Sequence, residues 1–322
     1  MPSPRVEDSI DVVYTWVDDA WPGYLELLEQ HANTRHDRNP NRTRDNLQVL
    51  KYSLRSLEAF APWIDQVYLV TCRPQVPTWL NQGSVRIVHH DEFMPASHLP
   101  TFNSFAIVSN LHRLPGLSRR FMYVEDDRLF GRPVAPADFF DRGRRTLVYE
   151  AMRGTPGGDR RDARGASPWN LALAYSNALL DQRFGRKARG QVKFAPLAVD
   201  RECWLRMIDT WPDAFERTSA SRFRSAKNVA PEHLYPHYLL ESGGGVRVPR
   251  AAMLRHAWYQ PLNNVRLLQQ LGFARLRRFG PKLACLNDNF GKRPNEAAVN
   301  VVRRELERWF PRRSRFEVPD AS

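Results

Sequence analysis

Phe121-Met122-Tyr123-Val124-Glu125-Asp126-Asp127 (FMYVEDD) is an apolar run that stops on three carboxylates, and Arg128-Leu129-Phe130-Gly131 follows it. The run reads as a buried strand whose end delivers acid to a cleft, because ligands of open α/β sheets bind beyond the carboxyl ends of the strands. Adjacent aspartates at such a place hold a hard divalent cation against a phosphate. Taken alone, the same residues also describe an acidic turn closing a strand, so the flanking chain must decide between the two.

Upstream, Ile10 to Val17 (IDVVYTWV) is rich in β-branched and aromatic residues and ends at Asp18-Asp19, a second acidic strand end. Val67 to Thr71 and Val85 to Val88 are two further strands, separated by a short element around Pro77 to Leu80. His31 to Thr43 is polar and reads as a loop. A helix then starts near Asp45 or Asn46, either of which can cap it, with Leu47, Leu50, Leu54, Leu57 and Ala61 on one face and Pro62 at its end. Arg44 precedes its first turn, and Lys51 and Arg55, four residues apart, project together. Cations beside a helix N-terminus form a phosphate pocket or, equally, an ordinary basic surface. Leu99 to Ser104 introduces another helix, running to about Leu114.

The alternation of strand and helix implies an α/β fold: a Rossmann-like, mostly parallel sheet with helices on both faces. Asp18-Asp19, the Thr71 end, the His89-His90-Asp91-Glu92 lip and Glu125-Asp126-Asp127 then emerge along one edge. Two acidic strand ends in one crevice are more than an acidic turn.

Beyond Tyr149, Gly154 to Gly165 is rich in Gly, Arg and Asp and reads as a mobile loop or lid. Helical patterns follow at Trp169 to Phe184, Arg201 to Trp211, Glu232 to Leu240 and Val265 to Leu271. Leu283 to Leu286 then runs into Asn287-Asp288-Asn289, and a closing helix carries Val299, Val302, Leu306 and Trp309. The expected organisation is one catalytic domain over 7–318, with a mainly helical subregion at 165–275 inserted in its second half.

The 322 residues, 42% hydrophobic and 26% charged, suffice for a large core. No run has the length of a membrane span, and Met1 to Asp8 lacks a signal-peptide core, which makes the cytoplasm the expected location. Cys72, Cys203 and Cys285 are too far apart for a zinc motif or a disulfide framework and read as buried or incidental. The net charge of +13 is compatible with nucleic acid, an anionic membrane face or phosphorylated substrates. No nucleic-acid motif accompanies it, so no nucleic-acid partner is expected.

Ile10 to Asp18 (IDVVYTWVD), Arg44 to Leu57 (RDNLQVLKYSLRSL), Ala61 to Ile64 (APWI), Leu99 to Ser104 (LPTFNS), Phe121 to Asp127, Thr218 to Ser225 (TSASRFRS) and Cys285 to Asn289 (CLNDN) together resemble the Stealth proteins, in family order and across nearly the whole chain. That family includes bacterial capsule-polysaccharide sugar-phosphotransferases and the catalytic region of N-acetylglucosamine-1-phosphotransferase. The resemblance implies transfer of a hexose 1-phosphate from a UDP-sugar to an acceptor hydroxyl, commonly on a glycan, with UMP leaving and with Mg2+ or Mn2+ as cofactor. It implies metal at Asp126, Asp127 and Asp288, and catalytic roles for Asp18, Arg44, Asp45 and Arg224. Asp18 is the candidate for orienting or deprotonating the acceptor hydroxyl. Substrate contacts are implied for Asp19, Asn46, Lys51, Asn103, Ser104, Asn287 and Asn289. Structural roles compete for several of these: Asp45 and Asn103 as helix caps, Arg44 and Arg224 as partners of a structural carboxylate, Asn287 to Asn289 as a turn.

The chain departs from the family pattern in places. A histidine common in relatives is missing from Lys193 to Ala198, which leaves Asp18, His233 or His237 as bases, or an impaired enzyme. Asn228 stands where an aspartate is expected, and Glu125 and Lys51 replace the usual asparagine and arginine. Two other readings fit the same residues: a metal-dependent glycosyltransferase releasing UDP, and a catalytically impaired nucleotide-sugar-binding protein. The expected location narrows to the cytoplasm or the inner face of the cell membrane, through peripheral association with a membrane-bound biosynthetic complex. A homo-oligomer is compatible with the sequence.

Overall fold

The four β-branched and aromatic runs of the first half are strands: β1 (Ile10–Thr15), β2 (Val67–Thr71), β3 (Arg86–His89) and β4 (Arg120–Glu125). Among them lie α1 (Tyr24–His31), α2 (Val49–Phe60) and α3 (Ser104–Asn110). These come from a computed structural model that describes residues 9–38, 44–162, 164–192, 195–249, 252 and 256–319. Part of the His31 to Thr43 loop (39–43), residue 163 of the expected lid, and Lys193 and Phe194 of the histidine-lacking segment lie outside the described residues.

The second half adds β5 (Arg128–Phe130), β6 (Thr146–Val148), β7 (Glu150–Gly154), α4 (Pro168–Phe184), β8 (Gly190–Val192) and β9 (Leu197–Asp200). There follow α5 (Arg201–Thr210), α6 (Pro212–Ala220), α7 (Pro231–Ser242), β10 (Gly245–Arg247), β11 (Ala257–Leu262), α8 (Arg266–Phe279), β12 (Leu283–Asp288) and α9 (Glu296–Trp309). Among the described residues no helix is long and apolar enough to cross a membrane.

The main sheet has the order β3-β2-β1-β4-β9; its first four strands are parallel, and β9 joins β4 antiparallel. In register, Thr15 lies beside both Val70 and Glu125, and Thr71 beside His89, so the four carboxyl ends do share one edge. Alternation along the strands feeds two cores. Val13, Tyr68, Val70, Phe121 and Tyr123 pack with residues of α3, α5 and α7, while Val12, Tyr14, Leu69, Met122 and Val124 pack with Leu50, Leu54 and Leu57 of α2. A sheet buried on both faces needs apolar residues on both, which is why these strands read as continuous runs. A smaller sheet, β11-β12-β5, carries β12 toward the same edge.

Several expectations are corrected. The second helix begins at Val49, and neither Asp45 nor Asn46 caps it; Gln48 precedes it in the left-handed region (φ 51°) and closes a turn back to the Asp45 carbonyl. The phosphate pocket imagined at its N-terminus does not form from Arg55. That guanidinium is buried against both carboxylate oxygens of Glu317 (each 2.8 Å) and the Phe310 carbonyl (2.7 Å). Lys51 and Arg55 do project together, but over the Tyr52 ring. The Gly154 to Gly165 segment is pinned where it is described. Asn177 Nδ2 donates to the Pro156 carbonyl (2.7 Å), and Gly158 lies so close to Ala178 of α4 that an added Cβ would sit 2.7 Å from its Cα. Strand β9 and helices α1 and α6, of 4, 8 and 9 residues, are too short to show a decisive period.

Candidate active site

The carboxyl ends of β1 and β4 open into a cleft of about 400 Å³, within the size range of small-ligand sites. Its walls include Trp16 from β1's end, Asp126 and Asp127 from the turn after β4, Ser104 from the start of α3, Arg224 from the loop after α6, and Asn287 from β12. His90 lines it as well, buried, with its imidazole pushed down to about 4 chiefly by that burial, whereas His89 does not line the cleft. Neighbouring Asp91 and Glu92 are spent on Arg73, at 3.0 and 3.1 Å.

Three aspartates crowd one part of this site. Burial pushes Asp45 up to about 7, reinforced by the negative charges of Asp126 and Asp18, although Trp16 Nε1 donates to its Oδ2 at 2.9 Å. Burial lifts Asp126 to about 6. Asp127 reaches about 8 through burial and then the repulsion of Asp126. Such carboxylates are short of positive charge. The Cys285 thiol points at Asp127 Oδ2 (3.3 Å), and its own ionisation is suppressed by burial and by that aspartate, so Cys285 is a neutral donor within the site and not incidental. Arg128 Nε lies 3.0 Å from Asp127 Oδ1 but off a hydrogen-bond line, and that buried oxygen accepts no hydrogen bond. Arg128 also pairs with Glu125, the residue that replaces the family's asparagine.

The donor set can be tested against a divalent cation. Among the described residues no three His, Cys, Asp or Glu side chains converge as a cage. Two adjacent carboxylates with one orphaned oxygen nevertheless fit Mg2+ well, since this ion is usually held by one or two carboxylates together with substrate phosphates. Asp288 belongs to a different arrangement. Arg44 Nη2 donates to both its oxygens (2.9 and 2.7 Å), Arg44 Nη1 to the Gly291 carbonyl (2.6 Å), and the Phe290 amide to Oδ1 (2.8 Å). Arg44 and Asp288 are thus brought together as partners of each other, and Asp288 stands apart from the Asp126-Asp127 pair as a metal ligand.

Across the cleft, the Arg224 guanidinium lies over the Phe105 ring (4.6 Å to the centroid) and the Trp169 ring (5.2 Å) and donates to Ser104 Oγ. Glu232, at the start of α7, sits among Arg128, Arg224 and the Tyr123 hydroxyl; burial raises its carboxyl against the pull of both arginines. Sequence reading missed Glu232 because only the tertiary fold sets it among those cations. A smaller chamber of about 60 Å³ shares Tyr123, Glu125, Arg128 and Trp169 with the cleft and adds Glu232 and His233.

The remaining sequence candidates divide. Asp18 closes β1 with its backbone latched by Gln75 (2.8 and 3.1 Å) and its Oδ1 accepting from the Ala20 amide (3.1 Å). Asp19 follows it at the half-buried end of the same segment. Asn103 is fully buried and committed: its Oδ1 caps α3 at the Phe105 amide, and its Nδ2 donates to the Ser221 carbonyl and to Asn228 Oδ1. It shapes the loop that carries Arg224 and has no face for substrate. Asn228, in place of the expected aspartate, supplies the matching amide. Asn46, Lys51 and Asn289 are not on the cleft wall; Asn46 offers its carbonyl to Arg303, Lys51 bonds Gln48, and Asn289 is exposed beyond the Asp288 turn. His233 and His237 are buried, with Nε2 held by Asn177 and by the Gly190 carbonyl, and burial depresses both.

An open α/β sheet with carboxylates and guanidinium groups gathered beyond its parallel strands defines an α/β protein of the Rossmann-like class with its cleft at the carboxyl ends of the strands. The chain belongs to the Stealth family: models described as Stealth protein conserved regions 2, 3 and 4 match residues 42–148, 195–241 and 274–322. It is 34% identical over 314 residues to exopolysaccharide phosphotransferase SCO6023 of Streptomyces coelicolor, covering 96% of this chain and 52% of that protein. It is 32% identical to exopolysaccharide phosphotransferase CpsY of Mycobacterium tuberculosis (96% and 58% covered) and 32% identical to capsular polysaccharide phosphotransferase SacB of Neisseria meningitidis serogroup A (98% and 58%). The chain therefore spans only a little over half the length of these relatives. Among solved structures it is similar to galactosyltransferase LgtC in complex with donor and acceptor sugar analogs, with a TM-score of 0.42, 12% identity and coverage of 97% of this chain and 98% of that one.

Proposed function

We propose that this chain transfers a hexose 1-phosphate from a UDP-sugar to a hydroxyl of a glycan acceptor, forming a phosphodiester of a cell-surface polysaccharide and releasing UMP. The observation that carries the reading is one cleft whose walls bring Asp126 and Asp127, the latter already flanked by Arg128 at 3.0 Å, together with the guanidinium group of Arg224. The kinship with named polysaccharide phosphotransferases supports it. In this reading 7–318 act as one catalytic domain.

The acceptor oxygen forms a bond to the phosphorus that bears the sugar, and the bond from that phosphorus to the bridging oxygen of the pyrophosphate breaks, its electron pair leaving with UMP. Arg224, desolvated between two rings, and Arg128 stabilise the charge that grows on the phosphoryl oxygens. Asp45, held near neutrality, takes the acceptor proton; a base with a pKa near the working pH is the efficient choice. Asp18 keeps Asp45 basic through its charge. Asp126 and Asp127 would hold Mg2+ or Mn2+, which when bound neutralises pyrophosphate charge. Cys285 fixes the orientation of Asp127.

A panel of UDP-sugars incubated with glycan acceptors and followed by phosphorus NMR tests this. A phosphodiester signal in the product together with UMP is expected. Release of UDP alone, with no phosphorus in the acceptor product, would overturn it.

A further inference from the structure

Six of the ten large apolar or aromatic side chains exposed among the described residues lie between Tyr259 and Phe279, on or beside α8. The helix buries only Gln269, Phe273 and Leu276, which recur at i, i+4 and i+7 and face β11 and α9. On its outer side Leu267 is 61% exposed, Leu268 50%, Leu271 46% and Phe279 64%. A helix of a water-facing surface puts polar residues there. Here Leu267, Leu271, Arg275 and Arg278 form a single outward stripe at i, i+4, i+8 and i+11.

Charge decides what covers this face. From Asn263 to Lys282 there are five lysine or arginine residues and no aspartate or glutamate. Arg277 is spent on Glu305 and Lys282 on Asp138. Arg275 and Arg278 form no ion pair with any described residue and fall on the leucine side of the helix, so their charge is presented outward among the leucines. At the far end the Trp258 ring stacks on Phe279 with centroids 5.4 Å apart, and Trp is a residue enriched at membrane–water interfaces. A second copy of this chain docked symmetrically on the face would set Arg275 and Arg278 against their own kind. An anionic bilayer receives both the apolar stripe and its basic border.

We infer that α8 is an interfacial membrane-binding helix, its Leu267-Leu268-Leu271-Phe279 side entering the headgroup region of an anionic lipid surface while Arg275 and Arg278 meet lipid phosphates. The helix starts at the turn that carries Asp288, since Asn264 Nδ2 donates to the Phe290 carbonyl (2.8 Å). A bilayer engaged by α8 therefore lies beside the cleft rim.

Vesicle flotation of the full chain tests this, with phosphatidylcholine vesicles and with vesicles of equal parts phosphatidylcholine and phosphatidylglycerol. Binding to the anionic vesicles is expected to be at least about tenfold stronger and to weaken with salt. The double variant Leu267→Gln/Leu271→Gln should lose binding, and Arg275→Gln/Arg278→Gln should lose the lipid-charge preference. Both should leave the unfolding temperature unchanged, because the replaced side chains are exposed. Absence of binding to anionic vesicles would overturn the inference, as would binding that neither variant weakens. A concentration-dependent dimer in sedimentation, abolished by the leucine variant while vesicles are ignored, would assign the face to a second copy instead.

Discussion

Arg44 and Asp288, 244 residues apart in sequence, meet in a two-pronged ion pair that joins the turn before α2 to the end of β12. The side chains are only 12% and 17% exposed, so the pair is partly desolvated. Removing one partner strands the other charge. Arg44→Ala should lower stability by about 3 kcal/mol, and Arg44→Lys, which keeps the charge but not the fork, by somewhat less. Asp288→Asn combined with Arg44→Ala should cost clearly less than the sum of the single changes. Urea unfolding of the four proteins measures this; additive losses would show that the contact carries no coupling.

Asp45 sets a pH dependence. In the unfolded chain it ionises near the ordinary carboxylate value of about 4, whereas in the fold it holds its proton up to about 7. Between those values the folded state binds the proton that the unfolded state has lost, so stability falls as pH rises through that window. Asp45→Asn removes this burden. Its unfolding temperature should exceed that of the parent at pH 8, by about 2–4 °C per kcal/mol relieved, and the difference should shrink toward pH 4. If Asp45 is also the base, turnover of the same variant falls by about 100-fold or more.

Asp127 governs cation linkage. With an Oδ1 that accepts no hydrogen bond, and with its carboxyl raised to about 8 although Arg128 Nε lies 3.0 Å away, Asp127 gains from a further positive ion. Adding Mg2+ at 100 times its dissociation constant should stabilise the parent by about 2.7 kcal/mol. Asp127→Asn should abolish most of that gain while unfolding normally in chelator. Equal Mg2+ stabilisation of parent and variant, read by calorimetry, would place the ion elsewhere.

Arg224 acts through its planarity. Stacked against Phe105 and Trp169 and anchored on Ser104, it presents a fixed fork to an anion. Arg224→Lys keeps the charge but loses the stacking, and kcat/KM for a UDP-sugar should fall about 10- to 100-fold. Steady-state kinetics and nucleotide titration check it.

Asn103 supports that arginine from below. Its side chain is fully buried, and two of its hydrogen bonds are buried and two part-buried, so Asn103→Ala leaves the Ser221 carbonyl and Asn228 Oδ1 each short of a donor and should cost about 2–3 kcal/mol. Activity loss should track unfolding and be recovered at lower temperature, in contrast to Arg224→Lys.

The sequence by itself determined the four parallel strands of the main sheet and their acidic edge, but not the antiparallel β9. Val12 to Tyr14, Val67 to Thr71 and Phe121 to Val124 are continuous apolar runs because both faces of the sheet are buried, and period and composition expose such runs without any contact being known. The positions of Asp18, Asp126 and Asp127 follow from where the runs stop. Only the tertiary structure decided the partners. Arg44 met Asp288, Arg55 turned inward to Glu317, Glu232 came between two arginines, and Asn103 became a buried brace. Most of these pairings span a long stretch of chain, and all depend on side-chain direction and desolvation, which exist only once the elements pack. Local pattern therefore fixed where charge emerges, and packing fixed which charges are neutralised and which are left for a ligand.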